Sequence, residues 1–559
     1  MDQQVGISRR GFVKAAGVAA AALAGSSLAA GCAPKGSQSK SQGGVDAGSI
    51  VWTDEADVVI MGLGCAGVAA AVEAVAAGAK VIAIEKADKA GGATALSGGL
   101  IYMGGGTELQ TSLGVQDTPE NFKKYLSKAL GGSSDPELLD TFCDASVDLY
   151  SWCVEHGMRF PGTVDETSHV VEPPEGVSLM YSGNERTCEY AEVAAPAPRA
   201  HAPEGGAANI IEPLLAEAAQ SMEVLYETAG GDLVVDGSGT VIGIRAKSAD
   251  KGDLAIKANK GVILASGAFT LNEGLVADAR GEVLACKKRT AGANDQGDGL
   301  VAALKIGAAT HSLSRMTVGE HVYMYGALSA GVLLDYRGHR ILSEDWYGSF
   351  IGRKILENSS NKCYIVLDQP LYDQVMVHPF AKGLPEALSA GSLEELSELM
   401  GLPADNVAST VERYNGFCAE GKDHDFDKGA EYLQVLSAAP FYAVPADVGS
   451  MASYFTLGGL KIDPSAQVMA IDGAPIKGLY AAGRCSCGIF GEYAGSGTSI
   501  ADGLTFGRIA GKSAASALQA TRAGRVRVPQ GPGHLDAAKT RPQRQNRISC
   551  SNRRICEAP

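Results

Sequence analysis

Two short stretches combine residue types and spacings that could do chemistry. In Gly478 to Gly511, GLYAAGRCSCGIFGEYAGSGTSIADGLTFGRIAG, one tyrosine, Tyr493, stands in a strand, loop and helix pattern crowded with glycine. Glycine lets a backbone approach a ligand closely and turns bare N–H groups toward it, so this loop suits a flat or anionic cofactor. The second stretch is Gly62-Leu63-Gly64-Cys65-Ala66-Gly67, preceded by the apolar run Asp57 to Met61 and followed by a helical pattern from Val68 to Ala77. A second apolar strand, Lys80 to Ile84, then ends at Glu85, 23 residues after the first glycine. Strand, glycine turn, helix, strand and terminal acid in that order form a dinucleotide-binding unit. Its glycines admit a pyrophosphate to the helix N-terminus, and the acid accepts from ribose hydroxyls. NAD and FAD satisfy such a unit alike.

The elements that must position these residues belong to a chain of 559 residues, 45% hydrophobic and 20% charged, long enough for two or three domains and a deep buried site. Its 71 glycines follow no triplet period, which points to tight turns and backbone contacts with ligand. The net charge of −15 argues against nucleic acid as a partner, although residues 521–559 carry nine Lys/Arg against two Asp/Glu and read as a basic, disordered tail. Twelve cysteines without a repeated spacing predict few or no disulfides, and Cys485-Ser486-Cys487 is too short to hold a metal alone. No metal is expected.

At the other end, Ser8-Arg9-Arg10-Gly11-Phe12-Val13-Lys14 precedes an alanine-rich apolar run to Ala30, the layout of a twin-arginine export signal. The run is short for a membrane span, which needs about 20 residues. Leu28 to Cys32 resembles a lipoprotein cleavage box, with Cys32 as the acylated residue, and the Gly/Ser/Gln-rich stretch after it reads as a tether. The expected location is the periplasm or the outer face of the cytoplasmic membrane, with membrane contact through Cys32.

Further segments decide between the dinucleotides. Gly91-Gly92-Ala93-Thr94 and Ser97-Gly98-Gly99 follow the second strand, Gly261 to Phe269 is another strand ending in small residues (Ala265, Ser266, Gly267), and Asp295-Gln296-Gly297-Asp298-Gly299 opens a helix. With the two opening stretches, this series resembles the fumarate reductase / 3-oxosteroid dehydrogenase flavoprotein superfamily over roughly residues 55 to 515. The resemblance implies an α/β fold, a Rossmann-like FAD-binding domain interrupted by an α+β capping domain. Residues 1–49 would be signal and tether, 50–310 the first part of the FAD domain, 311–448 the cap, 449–520 the second part and 521–559 the tail. It also implies FAD along Gly62, Gly64, Ala66, Gly67, Glu85 and Lys86, over Gly92, Ala93 and Thr94, and past Ala265 to Gly267 and Asp298. The flavin ring would lie under Ser97, Gly98 and Gly99 and against Gly483, Arg484, Ser499 and Ile500.

Departures from the fumarate-type pattern bear on substrate. That branch grips two carboxylates with histidine and arginine, because a dianion in a dry site needs fixed positive charge. At the matching places this chain has Tyr454, Ala494 and Gly348. The pattern looks closer to the 3-oxosteroid dehydrogenase branch, in which a tyrosine four residues before a glycine holds a ketone through its hydroxyl and the glycine N–H. Here the pair is Tyr493 and Gly497. Tyr347, at the cap position where relatives keep their acid, is expected to move the proton, with Tyr454 as the alternative donor from the FAD-domain side.

These features predict an exported FAD-dependent oxidoreductase that reduces an activated C=C bond in an enone, unsaturated lactone or enoate. Its electrons would come from a membrane-associated cytochrome or quinol oxidoreductase. The alternatives are the desaturating direction or a fumarate reductase-like enzyme; a flavin oxidase and a ligand-binding lipoprotein are further readings. His201, in a loop that in this family approaches the flavin, and Tyr323, Tyr325 and Tyr336 in the cap are secondary candidates.

Overall fold

The computed structural model describes residues 44–166, 175–319, 326–358 and 362–517. The export signal, Cys32, Tyr323, Tyr325 and the basic tail lie outside the described residues.

The apolar runs at 58–61 and 81–84 are buried throughout, as strands covered on both faces must be. They pair in parallel, Val58 with Val81 through Met61 with Ile84, and Met222–Leu225 adds a further parallel strand. On the other side of Asp54–Met61 lies Gly252–Leu264, a strand of 13 residues that serves two sheets' worth of pairing. Its first half continues an antiparallel meander through Val241–Ser248 and Thr228–Val235. Its last residues, Val262 to Leu264, pair in parallel with Leu479 to Ala481. Among the described residues this is a nine-stranded mixed sheet. The carboxyl ends of its parallel strands fall together, where open α/β sheets place ligands.

Helix Cys65–Ala76 crosses the closing helix Thr498–Ser516 at very short range. A Cβ on Gly507 would sit 2.4 Å from the Ala66 carbonyl oxygen, and one on Gly511 would sit 2.3 Å from that of Ala70. The glycines at 503, 507 and 511 therefore serve helix packing, and Gly488 and Gly491 of the preceding loop are likewise required by close protein contacts, with Asp502 and the Leu130 carbonyl. This divides a stretch that reads in sequence as wholly cofactor-directed.

Between residues 326 and 445 the chain builds a separate antiparallel sheet, ordered Val332–Leu334, Tyr364–Asp368, Phe441–Pro445, Leu388–Ala390. Helices Gly326–Ser329, Gly348–Asn358, Gln369–Met376, Leu393–Met400 and Ala404–Glu420 accompany it. Buried Arg340 pairs with Glu344 at 2.8 Å and Asp423 at 2.9 Å, and Lys428 pairs with Glu344 at 3.2 Å. A smaller three-stranded sheet, Lys288–Arg289, Ser453–Thr456 and Met316–Gly319, forms one wall of the site. Cys65, Cys143, Cys153, Cys418, Cys485 and Cys487 form no disulfide, and the burial of Cys485 and Cys487 pushes their thiols up to about 11 and about 12. No helix among the described residues is long and apolar enough to cross a membrane.

Candidate active site

A cavity of about 920 Å³ runs along the carboxyl ends of the parallel strands, lined by Met61, Gly62, Ile84, Glu85 and Ala265. Gly64 heads helix Cys65–Ala76 without a side-chain cap, and Gly64, Cys65 and Ala66 line the cavity, so the positive end of the helix is available to an anion. A Cβ on Gly64 would meet protein no closer than Thr94 Oγ1 at 3.8 Å, and one on Gly92 no closer than the Gly64 Cα at 3.9 Å. A side chain at either position would fill the cavity instead of the core. Glu85 is fixed by two amides: Leu63 N–H donates to Oε2 at 2.8 Å and Ala87 N–H to Oε1 at 2.9 Å, leaving further lone pairs at the cavity edge. Lys86 reaches Asp298 at 3.0 Å, and both line the same wall.

Ala93, Thr94, Ser97, Gly98 and Gly99 also line the cavity, as do Ser266, Gly267, Gly483, Arg484, Ser499 and Ile500. Ser499 Oγ is buried and has no hydrogen-bond partner among the described residues. An uncapped helix end, a positioned acid, a glycine cradle and an orphaned hydroxyl together fit an extended dinucleotide such as FAD. Gly67 is the exception. It does not line the cavity; a Cβ there would lie within 1.9 Å of the Gly62 carbonyl oxygen, so its role is to let the helix close on the strand–helix turn.

At the far end the cavity opens into a chamber walled by Tyr347, Ser349, Phe455, Tyr493, Ser496 and Gly497. The Tyr493 and Tyr347 rings stack with centroids 6.2 Å apart, and Phe455 meets Tyr493 edge-on at 5.1 Å. The hydroxyls of Tyr347 and Ser496 are 3.0 Å apart. Asn184 Oδ1 accepts from the Tyr347 amide at 2.7 Å, fixing the residue at the entrance to helix Gly348–Asn358. Burial raises the Tyr493 phenol above its ordinary value, while Ser499, Arg484 and the Gly497 amide oppose the rise. The Ser499 hydroxyl approaches this oxygen without reaching hydrogen-bond geometry. The Gly497 amide thus lies close to the Tyr493 phenol, and both residues line the chamber. Gly497, at φ +95°, caps the closing helix without a side chain.

Three expectations need correction. Tyr454 does not line the chamber: side chains alternate along a strand, and Ser453 and Phe455 face the cavity while Tyr454 points away. Its hydroxyl donates to the Thr270 carbonyl at 3.1 Å and accepts from Arg289 Nε at 3.3 Å. Ala494 and Gly348 are buried off the cavity, and their neighbours Tyr493, Tyr347 and Ser349 take the wall. The chamber is also not free of cations. Arg484 lies 4.8 Å over the Phe455 ring, with its charge also felt by buried Asp295. Arg289 lines the cavity but pairs with Glu273 at 2.7 Å.

His201 is fully buried on a short strand, bonded to Thr107 Oγ1 at 2.8 Å, and burial lowers its imidazole to about 4; it does not line the cavity. Tyr336 is 49% exposed on a turn. Ser496, by contrast, escaped sequence reasoning. A serine between two glycines carries no motif, and only the fold brings it to Tyr347.

The sequence profile of the FAD binding domain matches residues 57–500. The chain is 29% identical to a 3-oxosteroid 1-dehydrogenase of Mycolicibacterium smegmatis over 84% of its own length and 99% of that protein. It is 30% identical to a fumarate reductase (cytochrome) of Shewanella frigidimarina over 83% and 77%. Its fold matches the crystal structure of a 3-ketosteroid-Δ4-(5α)-dehydrogenase from Rhodococcus jostii in complex with 4-androstene-3,17-dione. There the TM-score is 0.80 and the identity 36%, over 85% of this chain and 99% of that one.

Proposed function

The chain belongs to the FAD binding domain family, as an FAD-dependent oxidoreductase acting on C=C bonds, and we propose that it reduces the activated C=C of a steroid-like enone, unsaturated lactone or enoate. The observation that carries this reading is the Tyr493, Tyr347 and Ser496 hydroxyl group against the Phe455 wall. A neutral donor pair suits a carbonyl whose oxygen gains charge during reaction and holds a dicarboxylate poorly.

When bound, FAD supplies the two-electron hydride chemistry at the β-carbon. Gly62, Gly64 and Glu85 would hold its nucleotide half, and Ser97 to Gly99, Gly483 and Ser499 its ring. The Tyr493 O–H and Gly497 N–H hold the carbonyl oxygen. Tyr347 delivers the proton to the α-carbon, and Ser496 Oγ positions the Tyr347 hydroxyl and can return the proton to it. The Phe455, Tyr347 and Tyr493 rings exclude water around the reacting carbons.

The direction rests on the twin-arginine pattern at Arg9-Arg10. Outside the cytoplasmic membrane no nicotinamide pool is at hand, so electrons enter from a membrane-associated cytochrome or quinol oxidoreductase. Acylated Cys32 would keep the enzyme near that partner. A second reading, desaturation by the same groups in reverse, is favoured by the likeness to two dehydrogenases. The test is to reduce the purified enzyme under argon and mix it with 4-androstene-3,17-dione or fumarate. Rapid flavin reoxidation by the dione alone supports the reading; oxidised enzyme bleached by a saturated ketone, with no reoxidation by any enone, supports the reverse.

A further inference from the structure

On the chamber wall built by strands Met316–Gly319 and Ser453–Thr456, the register places Thr317 directly opposite Phe455 and Gly319 opposite Ser453. Strand alternation divides the four residues: Met316 and Val318 are in the core, 3% and 1% exposed, whereas Thr317 and Gly319 line the cavity. Thr317 is only 5% exposed, and its Oγ1 has no hydrogen-bond partner among the described residues. The hydroxyls beside it are different. Thr290 Oγ1 donates to Ser453 Oγ at 3.1 Å, so that pair is already engaged.

A buried hydroxyl left without a partner is costly enough that folded chains rarely keep one, and where it faces a binding cavity the ligand is the natural partner. We propose that Thr317 is a specificity-determining residue that hydrogen-bonds a second, neutral oxygen of the substrate, distinct from the carbonyl held by Tyr493 and Gly497. This rests on the reading of the chamber as the substrate site. A threonine hydroxyl both donates and accepts, so it takes a ketone or an alcohol oxygen; it offers no charge to a carboxylate. Among the described residues a Cβ on Gly319 would meet nothing closer than Ser453 Oγ at 3.7 Å. The substrate class is therefore an uncharged molecule with an oxygen at each of two separated points.

The experiment uses the FAD-loaded enzyme, 4-androstene-3,17-dione and its analogue lacking the carbonyl far from the enone, with binding read from perturbation of the flavin spectrum and turnover from flavin reoxidation. Wild-type enzyme should bind the dione about tenfold more tightly than the analogue. Thr317→Val should erase that difference by weakening the dione alone, raising KM while leaving kcat and the FAD content unchanged, and Thr317→Ser should restore it. Equal affinity of the wild-type enzyme for the two ligands overturns the assignment, whether or not a variant folds. So does a Thr317→Val enzyme that loses both ligands equally or loses FAD. If neither steroid perturbs the flavin or reoxidises it, the reading of the chamber fails first and the role of Thr317 with it.

Discussion

The Tyr347 hydroxyl lies 3.0 Å from Ser496 Oγ, joining the entrance of a cap helix to the glycine loop that begins the closing helix. One residue reaches the chamber from each part of the chain, and the contact forms only when the two are assembled. In the proposed mechanism the proton donor is therefore assembled by the fold and not by either segment alone.

Tyr347→Phe should retain FAD and its spectrum while slowing substrate-driven flavin reoxidation by about 10²–10⁴, the usual loss for a positioned acid. Ser496→Ala should cost less, since it leaves the phenol in place. Stopped-flow reoxidation of both variants checks the order. Normal turnover in Tyr347→Phe would assign the proton to another group.

Tyr493→Phe removes one of two donors to the carbonyl oxygen and should lower kcat by about 10²–10³ with FAD content unchanged. Because burial raises this phenol, it stays protonated at neutral pH, so its loss should not shift the pH profile between about pH 6 and 8. A variant that also loses a titration in that range would mean that Tyr493 works as a base.

How far the site could be read from sequence depends on the physical signal each part leaves. The βαβ unit was legible because its buried runs, glycine turn and terminal Glu85 occur consecutively. Tyr493 and Gly497 were paired from the family resemblance, and the structure has both on the cavity wall. Tyr454, read as the alternative proton donor, lies one residue from Phe455, which faces the cavity, because a shift of one in a strand reverses every face and the sequence there does not mark which face is inward. The packing role of Gly507 and Gly511 was hidden because close approach of two helices and close approach to a cofactor ask for the same residue. Ser496 and Thr317 had no local signal at all; what distinguishes them is the partner that the fold provides to one and denies to the other.

Gly64→Leu should fill the cavity without a clash in the core, so the protein should fold yet purify without FAD. Absorbance of the purified variant and its circular dichroism check this. Full flavin content would show that the helix N-terminus at Cys65 is not the cofactor's binding end.

Asp502 offers a stability test separate from catalysis. It is fully buried, accepts one bond from Ile489 N–H at 3.1 Å, and its other oxygen has no partner among the described residues; burial raises its carboxyl to about 7. The unfolded value is about 3.9. Between the two the folded state holds a proton the unfolded chain has released. Its contribution to stability is thus full below about pH 4 and is lost as pH rises through about 7, a change of up to about 4 kcal/mol. Asp502→Asn should flatten the fall in Tm between pH 5 and pH 8. An unchanged slope would mean that the carboxyl finds another partner.

The preference for an uncharged substrate is tested most directly by anaerobic stopped-flow mixing of the reduced, FAD-loaded enzyme with 4-androstene-3,17-dione and with fumarate at equal concentration. Fumarate requires two charge-assisted grips, whereas among the described residues the chamber offers Arg484 beside Phe455 and has Tyr347, Tyr493 and Ser349 at the other positions. The missing grip is worth about 1.5–3 kcal/mol, so the dione should reoxidise the flavin about 10- to 10²-fold faster. Fumarate reoxidising the flavin as fast as the dione, or faster, would contradict the account.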